Sequence, residues 1–440
     1  MRRAILIVFF SLLVLILAAC DVLSGVSNTP AAAPTAVPAT PIAALTLAAQ
    51  STPNFVIAAT ITPTSNSLII WLPPAIASRT EAGAVTLSDQ LLAFNNTHPD
   101  LEIIVEQKPT VGQGGTLNYL RTGRGVAPTI LPDLIALPVA QLAPAASEGL
   151  IFPMEEFLDP TAVDALFPPA QEWAYNADHL VGYPFALVDM QHLEYSSVIT
   201  DPVPLTWSAF ISDTTRHMVL PAAGPDGARL ALEFYLAAGG TLTNDAGQPA
   251  LELEPLTLAL EQLYNGRVNG FILQQSSNIT TLADSVRLVR DGSTDYALTS
   301  SDVYLMSTST DYTPLFAPVP GLDQPLPALI SGWAWATTTP DVEKKALAAE
   351  LITFLTTPEN LGSWSRQSQI LPAAPGAFSA WPNDDVYAAF AQNELQRAVP
   401  MPLTATSSIM AALENAVFDV VSLSKSPDVA AQEAIAAVGS

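Results

Sequence analysis

The sequence is poor in cysteine, since Cys20 is the only one among 440 residues. No disulfide can form within the chain, so the folded part must be held together by packing and hydrogen bonds. Positive charge is scarce as well: 16 Lys and Arg stand against 41 Asp and Glu, and the net charge is −25. Negative charge of this size disfavours nucleic acids and anionic lipid surfaces as partners.

Signals of catalysis and metal binding are also missing. The four histidines include no pair at the spacing of metal ligands, and no Gly-x-Ser-x-Gly elbow is present. Adjacent carboxylates occur at Glu155-Glu156 and Asp384-Asp385, where neighbouring side chains do not face each other. The glycine-rich loop 111–115 lacks the Lys and Ser/Thr of a P-loop. We therefore expect no enzyme activity, no cofactor and no metal.

The N-terminus has the pattern of an export signal. Arg2 and Arg3 precede the apolar run 4–17, and small residues follow it. The run is shorter than the roughly 20 residues that span a bilayer. Leu17-Ala18-Ala19-Cys20 resembles the bacterial lipobox, whose cysteine receives lipid and becomes the new N-terminus. This predicts a lipoprotein signal peptide over 1–19 and a membrane anchor on Cys20; a plain signal peptide or membrane anchor with an incidental cysteine is the alternative.

Residues 20–66 are rich in Ala, Pro, Thr and Ser and nearly free of charge. Such a composition cannot bury enough apolar surface to offset the entropy of ordering, so it predicts a disordered tether. Packing of part of it as an irregular arm is the alternative. No later run of 18 apolar residues occurs, so no further membrane span is predicted.

The remaining chain alternates between strand and helix patterns. Apolar runs at 67–72, 101–106 and 132–137 predict strands, and helical spacing or glycine turns lie between them. This order predicts an α/β fold with a parallel sheet that is covered by helices on both faces. Ligands of such sheets bind outside the carboxyl ends of the strands. We therefore expect residues 71–74 and the loop after Leu137 to lie near a site.

Several segments, in order along the chain, resemble the bacterial extracellular solute-binding proteins of sugar-type ABC importers, the family that includes maltose-binding protein. They are the strand Ile69-Ile70-Trp71, the run Phe94 to Asp100, Pro132-Asp133-Leu134, Gly182 to Ala186, Pro204 to Phe210, Gly332 to Ala336, Glu343 to Leu355 and Ile370 to Ala373.

This resemblance implies a two-lobed periplasmic-binding-protein-like (type II) fold with a ligand cleft that hinge strands cross. Its expected lobes are 67–186 plus 295–332 and 187–294 plus 333–440. The implied function is capture of a small solute, most simply a carbohydrate, by a lipid-anchored extracytoplasmic monomer that delivers it to ABC permease subunits. Presentation of the ligand to a membrane sensor is the alternative, because docking surfaces on the lobes carry no recognisable motif.

Sugar recognition combines aromatic rings, which cover the C–H face of a pyranose, with polar groups that bond its hydroxyls. The resemblance implies a ligand site of Trp71, Tyr183, Asp189, Tyr195, Ser301, Asp302, Tyr304, Trp333 and Trp335. Packing in the core or hinge explains the aromatic rings equally well, and Ser300-Ser301-Asp302 has the pattern of a helix N-cap. Alternation puts Trp333 and Trp335 on one face of a strand, and we expect at least one in the cleft.

The sequence departs from the maltose-type pattern at three places. The strand 134–139 ends without the aromatic and acidic residues of that pattern, and no carboxylate follows the crossover until Asp189. The late aromatic of the C-terminal region is replaced near Met410. These departures argue against maltose itself as the ligand.

Overall fold

The structure, a computed structural model, describes residues 66–112, 114–126, 130–307 and 314–439. The predicted signal peptide with Cys20 and the predicted tether up to residue 65 lie outside the described residues.

Strand β1 forms where the sequence has its first run of apolar residues after the tether, and every residue in it is buried. The strands are β1 (Ser67–Leu72), β2 (Glu102–Gln107), β3 (Leu134–Pro138), β4 (Tyr175–Asn176), β5 (His179–Leu180), β6 (Tyr183–Val188), β7 (Gln191–Tyr195), β8 (Met218–Val219), β9 (Tyr296–Ser300), β10 (Leu315–Ala317), β11 (Leu329–Thr337), β12 (Leu371–Pro372) and β13 (Val399–Pro400).

Helices cover these strands, and several begin at the side-chain caps that their sequences provide, such as Thr80 and Ser300. The helices are α1 (Pro74–Ala77), α2 (Glu81–Thr97), α3 (Thr116–Gly123), α4 (Leu142–Ser147), α5 (Thr161–Asp164), α6 (Pro168–Ala174), α7 (Trp207–Phe210), α8 (Pro225–Ala237), α9 (Leu253–Val268), α10 (Leu282–Arg290), α11 (Ser301–Met306), α12 (Val342–Leu355), α13 (Pro358–Gln367), α14 (Val386–Arg397), α15 (Ser407–Val421) and α16 (Pro427–Val438).

Two large sheets organise the described residues, and β4 and β5 form a separate two-stranded sheet. The first has the order β12-β6-β11-β3-β1-β2 with β13 added beside β11, and the second has the order β10-β7-β9-β8. β1 pairs in parallel with both β2 and β3, as the alternation of strands and helices predicts. β11 runs antiparallel to β3 and β6, so the first sheet is mixed and not purely parallel. The predicted α/β class is confirmed.

Each sheet has its own hydrophobic core. The first core includes Leu68, Phe185 and Trp335, and the second core includes Leu193 and Phe234. A smaller apolar layer lies on the opposite face of the first sheet, where alternate residues of β1, β3 and β11 point. Burial of apolar surface in two separate cores is the physical basis for two structural halves.

The chain passes between the two halves at three places, which we call the three crossings. The first lies between Met190 of the first core and Leu193 of the second. The second lies at Ala328 to Ile330, where Leu329 packs in the second core and both its neighbours pack in the first, and the third follows Ala398. They lie side by side, because β11 pairs with the end of β6 on one side and with β13 on the other.

The expected lobe ranges differ from this arrangement in two places. They group residues 295–332 with the first lobe, but β9 pairs with β7 and β8 in the second sheet. They group residues 333–440 with the second lobe, but β11 belongs to the first sheet, and α12, α13 and α14 pack in the first core. The difference arises from the third crossing, which returns only residues after Ala398 to the second core, and which no motif in the sequence marks.

An aromatic cluster joins the halves beside the crossings. Phe316 of β10 lies 4.9 Å from Tyr387 of α14 between ring centroids, and Tyr304 of α11 lies 4.1 Å from the same ring. His192 of β7 is fully buried against them, and this burial lowers the pKa of His192 to about 4. The second sheet is therefore packed against the first core through aromatic contacts.

Trp335 provides a test of the first core. It is 3% exposed and stacks on Phe185 with a centroid distance of 4.8 Å. Trp335→Ala is expected to lower the free energy of unfolding by about 3–5 kcal/mol, because it leaves a cavity in a packed interior. Urea unfolding measures the loss. Trp333→Ala is the matched control, since Trp333 is only partly buried; an equal loss from both variants would contradict this assignment.

Candidate functional site

The carboxyl ends of β1, β3 and β6 meet at one edge of the first sheet, which we call the carboxyl edge. β11 is antiparallel to both β3 and β6, and its Trp333 pairs with Pro138 and Ala186 near the ends of those strands. The edge of an α/β sheet where parallel strands end is the usual location of a ligand. We therefore expect a ligand site at the carboxyl edge.

The second sheet adjoins the carboxyl edge at the first crossing. Gln191, the first residue of β7, pairs with Ser300, the last residue of β9. The N–H of Ser301 donates to the carbonyl of Met190 at 2.9 Å. Helix α11 thus begins beside the first crossing, and its first turn faces the turn at the end of β6.

Asp302 in that first turn links both halves. Its Oδ1 accepts a hydrogen bond from Arg79 Nη2 at 2.7 Å, and its Oδ2 accepts one from the backbone N–H of Asp189 at 2.7 Å. Ser301 Oγ donates to the same Oδ2 at 3.2 Å. Arg79 follows α1, close after the end of β1. Asp302 is therefore fully engaged in protein contacts, and its main effect is to hold Asp189 and Arg79 in place.

Asp189 has a more accessible carboxylate than Asp302. It adopts a left-handed backbone with φ of +65°, a conformation that Asp tolerates better than most residues. Its side chain is 48% exposed, and its Oδ2 lies 3.5 Å from Arg229 Nη1. Partial loss of water raises the pKa of Asp189, the Asp302 charge adds to the rise, and Arg229 opposes it. A strained residue with an available carboxylate at a sheet edge is a candidate ligand group.

Asp226, at the start of α8, completes the cluster. Loss of water raises the pKa of Asp226, and the charges of Arg229 and Asp189 act on it in opposite directions. The Asp226 carbonyl accepts a hydrogen bond from Gln191 Nε2 at 3.1 Å. Three carboxylates and two guanidinium groups therefore meet at the carboxyl edge. We call this set the ion-pair cluster, and its members are Arg79, Asp189, Asp226, Arg229 and Asp302.

The nine predicted ligand residues occupy different environments. Asp189 and Asp302 belong to the ion-pair cluster, and Trp333 lies partly buried at the carboxyl edge. Tyr304 packs in the aromatic cluster described above. The other five are buried in the interior: Trp71, Tyr183, Tyr195, Ser301 and Trp335.

These five side chains pack in the interior, and their expected ligand role stays a prediction. Tyr183 donates its hydroxyl to the carbonyl of Ala162 at 3.3 Å, and Tyr195 lies 5.5 Å from the Tyr296 ring in the second core. Trp71 is 4% exposed. Trp333 and Trp335 do share one face of β11, the face of the first core, but only Trp333 keeps exposed surface.

Sequence reasoning missed three members of the ion-pair cluster: Arg79, Asp226 and Arg229. Each comes shortly after the carboxyl end of a strand, Arg79 after β1 and the other two after β8. Cations are rare in this chain, so a cation shortly after a strand end was the available signal.

Metal binding and membrane crossing are two further possibilities for the described residues. No group of three or more His, Cys, Asp or Glu is arranged to hold a metal ion within the part of the chain that the structure describes. No helix among residues 66–112, 114–126, 130–307 and 314–439 is long and apolar enough to cross a bilayer.

Comparison with known families decides the identity of the fold. The model of the bacterial extracellular solute-binding protein family matches residues 91–391, more than half of the chain. The chain belongs to this family. Members of the family are extracellular binding proteins, which implies a location outside the cytoplasm for this chain. A search of curated proteins found no match.

Solved structures of sugar-binding proteins share the fold of this solute-binding protein. A cyclo/maltodextrin-binding protein with bound maltotetraose has a TM-score of 0.67 at 16% identity, over 86% of this chain and 97% of the other. The cyclic alpha-maltosyl-1,6-maltose binding protein of Arthrobacter globiformis has a TM-score of 0.65 at 15% identity, over 84% and 97%. The maltose-binding periplasmic protein of Listeria monocytogenes, with maltose, has a TM-score of 0.63 at 16% identity, over 84% and 96%. At such identities the likeness shows the fold.

The link between Arg79 and Asp302 can be measured by a double-mutant cycle. Arg79→Met, Asp302→Ala and their combination should give a coupling free energy of about 0.5–3 kcal/mol in urea unfolding, because both side chains are largely shielded from water. The exposed pair Arg287 and Asp284 serves as the control and should couple weakly, by about 0–1 kcal/mol. Equal coupling in the two pairs would show that Asp302 has no special role.

Proposed function

We propose that this solute-binding protein captures a carbohydrate at the carboxyl edge of the first sheet and delivers it to an ABC permease. The observation that carries the proposal is the accessible Asp189 carboxylate, held at a chain crossing by Asp302 and Arg229. A carboxylate accepts hydrogen bonds from two neighbouring sugar hydroxyls, and charge assistance makes these bonds strong.

Trp333 supplies the apolar part of the proposed site. It lies two residues along β11 from Ser331, whose side chain opposes the rise in the pKa of Asp189. An indole ring covers the C–H face of a pyranose while the nearby carboxylate bonds its hydroxyls. The sugar-binding proteins with the same fold support a carbohydrate over an amino acid or a peptide, although the departures from the maltose-type pattern argue for a sugar other than maltose.

Closure about the three crossings is the proposed binding motion. We assign residues 67–190 and 330–398 to one lobe and residues 191–329 and 399–439 to the other, following the two cores except at Leu305 and Ala328, which pack in the first core. Two lobes whose backbone connections lie side by side can rotate by small changes in a few backbone angles. A ligand that contacts both lobes stabilises the closed state by its differential affinity for that state.

A thermal-shift screen tests the carbohydrate proposal. Sugars, sugar alcohols, amino acids and short peptides are added to the purified protein, and a ligand that binds the folded state raises Tm with its concentration. We expect a sugar to give the largest rise. A rise only with amino acids or peptides would contradict the carbohydrate assignment, and no rise with any of these compounds would favour a sensing role.

Asp189→Asn is the sharpest variant for this screen, because Asn also tolerates the left-handed backbone while the charge is lost. Affinity for the sugar found should fall by about 10- to 100-fold, since a charge-assisted bond becomes a neutral one. Trp333→Ala should weaken binding as well. The exposed residue Asp245 provides the control Asp245→Asn. Unchanged affinity in both site variants would place the ligand elsewhere.

The proposed lipid anchor has its own test. Cys20→Ser should abolish labelling of the protein by a fatty-acid analogue in the producing cell, because the thiol that would receive lipid is gone. The wild-type chain, grown in parallel, serves as the control. Retained labelling of the Cys20→Ser chain would refute the lipobox interpretation and leave the carbohydrate proposal intact.

A further inference from the structure

Helix α8 carries two side chains, one turn apart, that hold the same residue of β11. Glu233 Oε1 accepts a hydrogen bond from the N–H of Leu329 at 3.0 Å, and Arg229 Nη2 donates to the carbonyl of Leu329. Leu329 belongs to the second core, while its neighbours Ala328 and Ile330 belong to the first. The two side chains therefore hold both backbone groups of the residue that lies between the two cores at the second crossing.

Arg229 also reaches the first crossing. Its Nη1 lies 3.5 Å from Asp189 Oδ2, while its Nη2 is bonded to Leu329, and the side chain is 12% exposed. One guanidinium group thus connects the second crossing to the turn that presents the Asp189 carboxylate. A shift of Leu329 along its strand would move the donor that orients Asp189.

The third crossing supports Leu329 from the other side. Val399 N–H donates to the carbonyl of Ala328 at 3.0 Å, and Met401 N–H donates to the carbonyl of Ile330 at 2.8 Å. Arg397 Nη1 donates to the carbonyl of Pro325 at 2.9 Å. The second crossing is therefore enclosed between α8 and the third crossing, and its position is set by both.

Glu233 is an acidic side chain that is buried beside the second crossing. It is 3% exposed, and its Oε2 is buried without a hydrogen-bond partner among the residues that the structure describes. The charged groups that act on it are Arg229 of α8 and Arg397 of α14, and β11 offers it only the Leu329 N–H. Burial outweighs these partners and raises the pKa of Glu233 to about 7.

We propose that Arg229 and Glu233 are positioning residues of the ligand site, which fix Leu329 and through it the Asp189 turn, and that the charge on Glu233 sets how firmly the three crossings are held. The proposal rests on the proposed function only in treating Asp189 as a ligand group. As the neutral acid, Glu233 accepts the Leu329 bond without a buried charge; as the anion, it places an incompletely paired charge between the cores.

The sign of the pH effect follows from linkage. The pKa of Glu233 is higher in the folded protein than in the unfolded chain, so the folded state binds the additional proton between about pH 4.5 and pH 7. The stabilisation is complete below the unfolded pKa and is lost as the pH rises through about 7. Buried His192, whose pKa is about 4, has the opposite effect at lower pH. A comparison of variants at position 233 cancels the contribution of His192.

The experiment measures Tm from about pH 5 to about pH 8 for the wild type and Glu233→Gln, which keeps the acceptor for Leu329 N–H but cannot ionise. Tm of Glu233→Gln should rise relative to that of the wild type by about 3 °C across this range. Glu261→Gln, an exposed Glu of α9, is the matched control and should follow the wild-type profile. A difference between wild type and Glu233→Gln that does not change with pH would refute the titration.

Amide hydrogen exchange tests the positioning role without any ligand. Arg229→Met removes no acceptor from a backbone N–H, yet the amides of both Leu329 and Asp189 should exchange at least about tenfold faster, because the link between crossings is lost. Arg229→Lys should restore part of the protection. Unchanged exchange at Asp189 would overturn the proposal. Both experiments are carried out without a sugar. Failure of the proposed function can therefore be distinguished from failure of this inference.

Discussion

β11 begins between the two cores: Leu329 packs in the second core, while its neighbours Ala328 and Ile330 pack in the first. This constraint organises the rest of the structure. Because β11 pairs with β6 and β13, the three crossings lie in hydrogen-bonding register with one another. The halves are joined by a narrow band of backbone and by the aromatic cluster beside it, while apolar burial holds each half together separately. A band of this kind can bend without loss of either core.

The ion-pair cluster lies where this band meets the ends of the strands. Its residues come from separate parts of the chain: Arg79 follows β1, Asp189 follows β6, Arg229 lies in α8 and Asp302 lies in the first turn of α11. Such a site exists only when both halves are folded and correctly placed. Recognition by groups from both halves also gives a ligand differential affinity for one relative placement, which is the thermodynamic requirement for closure.

Sequence patterns predict the first half well, because its strands are short apolar runs in the order expected for an α/β fold. β1 is predicted at its observed bounds and β2 within one residue. The role of an aromatic residue on a strand is harder to predict, because the sequence pattern is the same whether its side chain lies in the core or in a cleft. Trp335 and Tyr183 are therefore core residues, although the family resemblance implies a ligand role. The third crossing after Ala398 depends on long-range packing that no local pattern encodes.

The polar residues of the site can be predicted from the sequence only in part. Asp189 and Asp302 are found from the resemblance, whereas Arg79 and Arg229 require knowledge of which strand ends meet in space. Glu233 could not be found from the sequence at all, since a Glu in an amphipathic helix is ordinarily exposed. Its burial is a consequence of the place where α8 packs against Leu329.

Binding of a carbohydrate at the carboxyl edge between the two halves can be measured by amide hydrogen exchange, with and without the sugar that gives the largest thermal shift. We expect slower exchange at Asp189, at the start of α8, at the start of α11 and around Ser331 to Trp333, with little change in the cores. Protection confined to another surface, with the carboxyl edge unaffected, would contradict this expectation.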